Sequence, residues 1–336
     1  MENIVENKRS LLSLPPLVSQ KHTPGLILSH GVQGEKQTFF SISQDQYYTR
    51  MIPEMENKII LGSSSSSGWL ILMDDDADSS NYFLLNLESL EKIQLPFDMD
   101  YPDHILMTAT PPSGHIVFIQ NKDNEKCTLQ FYCPDDNQFC TQTLDFCLGS
   151  AAASNGKIFC LKNDWSIVII EIVGSNLQLS NLVVQQIPPM FLSIRGRIIR
   201  SLIEHLGEML LVLGQGLSIF ELPWHYDFTV FKLDSSAMAW VEVVDMGEYA
   251  IFIDNKSGGI CAPCPPTDDE FGICRSNSVY HIPTLDEDED HDYMYVFDLK
   301  EGCTAPYLPC PTLSRQYQSS RWVMLPSIKQ LEDLKV

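Results

Sequence analysis

The densest group of residues able to do chemistry is Cys261-Ala262-Pro263-Cys264, with Cys274 ten residues on and His281 beyond it. Two thiols separated by two residues have the spacing of a metal-ligand pair. A structural zinc centre needs a second such pair, and Cys274 with His281 supplies it only irregularly. The default reading is a Cys- and Pro-rich loop crossing one face of the fold, with no metal. Redox use of the pair has no better support, because the strand-to-helix setting that activates such thiols is missing. The acidic run Asp286-Glu287-Asp288-Glu289-Asp290-His291-Asp292 lacks the Gly and the flanking helices of an EF-hand calcium loop. It reads as a solvated hairpin tip, as does Asp74-Asp75-Asp76-Ala77-Asp78 in an equivalent turn. Gly-x-Ser-x-Gly is absent, and Gly214-Gln215-Gly216 follows a strand with no helix behind it, so neither a nucleophile elbow nor a dinucleotide loop is expected. No catalytic residue, cofactor or metal ligand follows from these patterns.

The elements that would position any site are strands. The chain has 336 residues, 44% of them hydrophobic and 10% aromatic, enough to bury a sizeable core in one large domain or two smaller ones. Its formal net charge of −22, without any Lys/Arg cluster, argues against nucleic acid as a partner. The same charge favours solubility and steers basic partners towards the surface. No apolar run approaches the roughly 20 residues that span a bilayer; Ile167-Val168-Ile169-Ile170 is of strand length. No membrane contact is therefore expected. Glu2, Glu6, Lys8 and Arg9 precede Leu11 without an apolar region, which does not read as a secretory signal, and a cytoplasmic or nuclear location is the expectation. The ten Cys are then expected to be reduced, with Cys127, Cys160 and Cys303 acting as small hydrophobes beside apolar runs.

A drifting unit recurs: a Gly, an apolar strand, a polar turn, a second apolar strand often closed by Asp or Asn, and a weaker third strand. Its clearest copy is Gly68-Trp69-Leu70-Ile71-Leu72-Met73, then Tyr82 to Asn86, then Lys92 to Pro96. Further copies start at Gly114, Gly156 and Gly207, and the successive steps are 46, 42 and 51 residues. That is the size of a four-stranded propeller blade. The strands are short, turns recur, and helical periodicity is missing before residue 326, so the expected fold is an all-β propeller. About six blades are countable; seven result if residues 25–62 and 185–205 each hold one. The expected boundaries are a tail over 1–24, a propeller over 25–325 and a short helix over 326–336, where Ile328, Leu331 and Leu334 share one helical face.

Val230-Phe231-Lys232-Leu233-Asp234, Met238-Ala239-Trp240-Val241-Glu242-Val243 and Gly247 to Ile253 together resemble the signature of the plant F-box-associated KIB-type β-propeller family. Gly68-Trp69-Leu70 resembles its first blade motif, and Tyr295-Val296-Phe297-Asp298-Leu299 its last. The resemblance implies a propeller that serves as a recognition platform for another protein, unidentified from sequence. Family members typically carry an N-terminal F-box that docks on Skp1 and recruits targets to a cullin-based ubiquitin ligase. Met1 to Pro24 is too short for a three-helix module, so Skp1 and cullin are not the expected partners of this chain. Within the resembling blocks, Trp69 and Trp240 read as packing anchors, and Asp234 and Asp298 as turn caps. The expected role is a non-enzymatic interaction module. The competing reading is an enzyme or small-ligand binder whose site is assembled by loops at the mouth of the central channel, which sequence spacing does not reveal.

Overall fold

The computed structural model describes residues 23–43, 45–64, 68–75, 81–123, 125–184, 197–217, 225–254, 258–264, 274–282, 294–307 and 317–325. Runs of Val, Ile, Leu, Phe and Tyr broken by polar turns favour strands, and hairpins join them in series. Three strands open the chain: β1 (Thr23–His30), β2 (Lys36–Ser41) and β3 (Gln46–Arg50). The second blade is β4 (Lys58–Ser63), β5 (Trp69–Asp74), β6 (Tyr82–Asn86) and β7 (Lys92–Leu95). The third is β8 (His104–Met107), β9 (Ile116–Lys122), β10 (Lys126–Cys133) and β11 (Gln138–Leu144). The fourth is β12 (Leu148–Ser154), β13 (Lys157–Lys162), β14 (Ile167–Val173) and β15 (Asn176–Leu182). The fifth is β16 (Arg197–His205), β17 (Glu208–Leu217), β18 (His225–Asp234) and β19 (Ala239–Val243).

The sixth blade departs from the meander. It holds β20 (Tyr249–Asp254), β21 (Gly259–Pro263), β22 (Ser278–Ile282), β23 (Met294–Asp298) and β24 (Cys303–Tyr307), in the spatial order β21-β20-β22-β23-β24. The β20 and β22 strands run parallel, so the chain must cross from the inner edge at β21 to the far side of β20. A disulfide between Cys264 and Cys274 brackets that crossover. The last strand, β25 (Tyr317–Leu325), pairs antiparallel with β1 and becomes the inner strand of the first blade. The ring is thus closed by joining the two ends of the described chain.

Strand alternation gives each blade two apolar faces. Among the described residues the buried apolar side chains fall into six clusters, one between each pair of neighbouring blades. Ile27, Phe39, Ile60 and Leu70 join blades 1 and 2; Trp69, Ile71, Tyr82 and Phe118 join blades 2 and 3. Val117, Leu129, Ile158 and Cys160 join blades 3 and 4; Leu161, Leu211, Phe231 and Trp240 join blades 4 and 5. Val212, Val230, Ile251 and Phe297 join blades 5 and 6, and Leu26, Phe40, Phe252 and Trp322 join blade 6 to blade 1. Six interfaces for six blades require a closed ring. Each fully buried Leu, Ile or Phe contributes about 1.5–3 kcal/mol relative to exposure, and these layers are the main source of stability. Polar contacts stitch the inner strands: Ser63 Oγ donates to the Trp322 carbonyl at 2.9 Å, and Trp322 Nε1 donates to the Ile253 carbonyl at 3.1 Å.

Several expectations need correction. The start glycines mark the entry to the second strand of each blade, and the inner strands β4, β8, β12 and β16 precede them. The inner strand β12 is built from small residues, Leu148-Gly149-Ser150-Ala151-Ala152-Ala153-Ser154, and lacks an apolar signature. Lys58 to Leu61 accordingly belongs to the second blade and not to the first. There is no seventh blade among the described residues: 25–62 supplies β1 to β3 and most of β4, and 197–205 is the inner strand β16. Cys264 and Cys274 are oxidised, against the expectation of reduced thiols throughout, and Cys303 is exposed rather than packed in a core. Cys127 and Cys160 are fully buried as expected. The helix expected over 326–336 lies outside the described residues, as do Asp286 to Asp292 and the tail before Thr23. No helix of the described residues is long and apolar enough to cross a membrane.

Candidate functional site: a stacked cation at one channel mouth

The six inner strands β25, β4, β8, β12, β16 and β21 surround the axis, and two rims follow from the pairing. Leu148 at the start of β12 faces Lys162 at the end of β13, so the start of the inner strand and the β13–β14 turn share a rim. The same holds in blade 3, where His104 faces Ile119 near the end of β9. At this mouth the neighbouring blades are clamped together. Asn121 donates from Nδ2 to the Leu148 carbonyl at 3.1 Å and accepts the Leu148 N–H at 2.8 Å through Oδ1. The His104 ring also bonds the Leu148 backbone, and burial holds its pKa below the ordinary 6.5, although that bond and the Asp103 charge work the other way. Asp103 is itself occupied, accepting the Asn121 N–H at 2.6 Å.

Blade 4 carries an unusual turn here. Asn163, Asp164 and Trp165 connect β13 to β14; the Trp165 N–H donates to the Lys162 carbonyl at 3.0 Å and the Lys162 N–H to the Ser166 carbonyl at 2.9 Å. Such a three-residue hairpin needs one left-handed residue, usually Gly or Asn. Trp165 occupies it at φ 69°. A bulky side chain in that region costs on the order of 1–2 kcal/mol. Its ring is half-buried against the apolar layer of blades 4 and 5.

Over that ring lies Arg200, from inner strand β16, with its guanidinium carbon 5.1 Å from the ring centroid. Gly149 lies close by: a Cβ there would stand 3.4 Å from an Arg200 terminal nitrogen and 3.2 Å from Asn163 Oδ1. The guanidinium thus lies over an indole and beside backbone that carries no side chain. Among the described residues Arg200 has no ion pair and no hydrogen bond. Lys162 stands close by, 5.7 Å from the Phe146 ring, but its ammonium is 3.2 Å from Asp164. The Ser166 hydroxyl at 2.6 Å and amide at 3.0 Å, helped by Lys162, hold the Asp164 carboxyl below its ordinary range against a small burial effect. The nearby acids are therefore already engaged, and one planar cation is left over.

The residues singled out by family resemblance are not gathered into this or any other site. Gly68 enters β5 at φ 45°, and Trp69 is buried between blades 2 and 3. Phe231 and Trp240 are buried between blades 4 and 5, and Phe297 between blades 5 and 6, 5.7 Å from the Phe228 ring. Asp234 accepts the amides of Ser236 at 2.8 Å and Ala237 at 3.0 Å, and Asp298 those of Lys300 at 2.8 Å and Glu301 at 2.9 Å. Both aspartates cap turns on the opposite rim. The Cys261 group also disperses: Cys264 is in the disulfide, burial pushes the Cys261 thiol up to about 12, and His281 packs between the rings of Tyr226 and Phe228. Among the described residues no cluster of three metal-ligating side chains exists. Sequence reading missed Arg200, Gly149 and Trp165; a large aromatic inside the polar turn Asn163-Asp164-Trp165-Ser166 was the available signal.

A relative from Arabidopsis thaliana, named as an F-box protein, is 25% identical over 122 residues, which cover 35% of this chain and 30% of that protein. The aligned part is thus less than a third of that relative's length. Among solved structures, TolB from Acinetobacter baumannii covers 90% of this chain and 66% of its own at 9% identity and a TM-score of 0.47. The Cps50 (Swd1) propeller domain of Myceliophteria thermophila covers 75% and 97% at 7% identity and a TM-score of 0.36. At these scores neither likeness bears on function. The KIB1-4 beta-propeller family model matches residues 39–298, and the chain belongs to this family.

Proposed function

We propose that this propeller is a non-enzymatic protein-interaction module and that its partner docks on the mouth where the inner strands begin, over blades 3 to 5. The observation that carries the reading is the Arg200 guanidinium, placed over the Trp165 ring at 5.1 Å without an ion pair among the described residues. A closed ring of six blades is a stiff scaffold, and stiff scaffolds lend their loops to recognition. Arg and Trp are the residues most often found at the energetic centre of protein interfaces. Kinship with an F-box protein adds the finer proposal that the captured protein is a target of ubiquitin-dependent regulation, acting in the cytoplasm or nucleus.

The test is affinity purification from plant extract with three proteins: wild type, Arg200→Glu, and Leu206→Glu, the last altering the opposite rim where Leu206 is exposed. Specific proteins captured by wild type and Leu206→Glu but lost by Arg200→Glu are the expected result. Loss with Leu206→Glu alone contradicts the assignment of the face. Recovery of Skp1 and a cullin with the wild type supports the ubiquitin role, and their absence with proteasome-insensitive partner levels argues against it.

A further inference from the structure

Resting on the reading of this mouth as the docking face, we infer that Arg200 and Trp165 form a receptor for a carboxylate carried by a peptide segment of the partner. The chain has 44 acidic and 22 basic residues, so an Arg without an acidic neighbour is against the odds of its own composition. Among the described residues Arg200 is paired with none of them. Its guanidinium carbon lies 5.1 Å from the Trp165 ring centroid, and a Cβ on Gly149 would stand 3.4 Å from one of its nitrogens and 3.2 Å from Asn163 Oδ1. Stacking of this kind leaves the N–H edge as the reactive part, and that edge is a fork matching the two oxygens of a carboxylate.

Asp164, beside Trp165 in the same turn, does not fill the fork, because Lys162 and Ser166 hold it. One guanidinium also balances one negative charge. A phosphate dianion would leave surplus charge on a protein whose formal net charge is already −22, so a carboxylate is the better match. The overall field opposes any anion, but its reach is limited to about 8–10 Å in physiological salt, and a stacked, partly desolvated cation dominates at contact. Trp165 holds the left-handed position of its turn at φ 69°, and its ring is the surface over which the guanidinium lies.

Fluorescence polarisation with labelled short peptides tests the assignment. The probes are a peptide alternating Glu and Leu with both ends blocked, its Gln-for-Glu analogue, a blocked phosphoserine analogue, and an Ala-Leu peptide with a free C-terminal carboxylate. The Glu peptide is expected to bind the wild type about tenfold or more tightly than the Gln analogue. Arg200→Gln and Trp165→Asn should each lose that preference, Arg200→Lys should lose part of it, and Leu206→Glu should keep it. Preferential binding of the free C-terminal peptide would assign the carboxylate to a chain end rather than a side chain. Equal binding of Glu and Gln peptides, unchanged binding by Arg200→Gln, tighter binding of the phosphoserine peptide, or no binding of any carboxylate peptide overturns the inference. Thermal melts of every variant accompany the titration, and Arg200→Lys stands in if Trp165→Asn does not fold. If proteins from extract still depend on Arg200 while Glu peptides fail, only the carboxylate is wrong. If they depend on Leu206 instead, the docking face itself is wrong.

Discussion

Two turns at the same mouth of the propeller each hold a residue in the left-handed region and differ in what they place there. In blade 3 the β9–β10 turn puts Asp123 at φ 62°; in blade 4 the β13–β14 turn puts Trp165 at φ 69°. Asp has a short polar side chain that tolerates this conformation, and the blade 3 turn is held by Cys147, whose thiol lies within reach of the Asp123 carbonyl at 3.3 Å and the Lys126 carbonyl at 3.2 Å, sharing its one hydrogen between them. Trp gains nothing from that conformation. Both hairpins hold a left-handed residue, and the bulkier one, Trp165, is the one whose ring carries Arg200.

The comparison can be broken at several points, and the largest effect comes from removing the bed beneath the blade 4 turn. Trp240→Ala hollows the apolar layer between blades 4 and 5 and should cost about 3–5 kcal/mol by chemical denaturation, with the Arg200 stack lost along with it. Next comes the exchange of the turns. Asp123→Trp forces a bulky residue into the left-handed region without a partner and should destabilise by about 1–3 kcal/mol. Trp165→Asn relieves similar strain and gives up the burial of half an indole, so its stability should stay within about 1 kcal/mol of wild type while peptide binding falls. A loss as large as that of Asp123→Trp would show that Trp165 is a structural residue.

Acid should act on the two turns in sequence. Burial depresses the pKa of His104, beside the blade 3–4 clamp, and of His30, His115 and His205. The unfolded chain therefore takes up these protons first. Stability is complete above the unfolded value of 6.5 and declines as pH falls through 6.5 towards the lower folded values. Asp164 has the same sign in a lower window: its contribution is present above 3.8 and is lost as pH falls through the depressed folded value. Melting temperature should thus drop between pH 7.5 and 5.5 before the carboxylates matter, and His104→Gln should flatten that first decline. A melting temperature that rises on acidification in that range contradicts the assignment. The smallest effects belong to the opposite rim, where Asp234→Ala removes an exposed turn cap and should lower the melting point slightly without touching peptide binding.

The contrast between blades also explains what the sequence discloses. Strands such as Trp69 to Met73, Ile116 to Ile119 and Leu210 to Leu213 are packed on both faces, and such runs of large apolar residues stand out at blade-sized intervals. The inner strand β12 does not stand out, because it is built from small residues such as Ser150, Ala151 and Ala152. β25 is hidden for another reason: its pairing with β1 joins residues nearly the whole chain apart, and no local pattern carries that. The candidate site follows the same division. Trp165 is visible as a misplaced aromatic in a polar turn, whereas Arg200 and Gly149 sit on different inner strands and meet only when blades 4 and 5 pack together. The Cys264–Cys274 pairing was obscured by the nearer Cys261, which lies on β21 with a buried thiol.

The claim that this mouth is the docking face is tested most directly by placing a photo-crosslinking residue at exposed Asn163 and, in a separate sample, at Leu206 on the opposite rim, then irradiating each in plant extract. Discrete adducts from position 163 that disappear when Arg200→Glu is added, with none from position 206, are the predicted result. The same adducts from both positions, or adducts from 206 alone, contradict it.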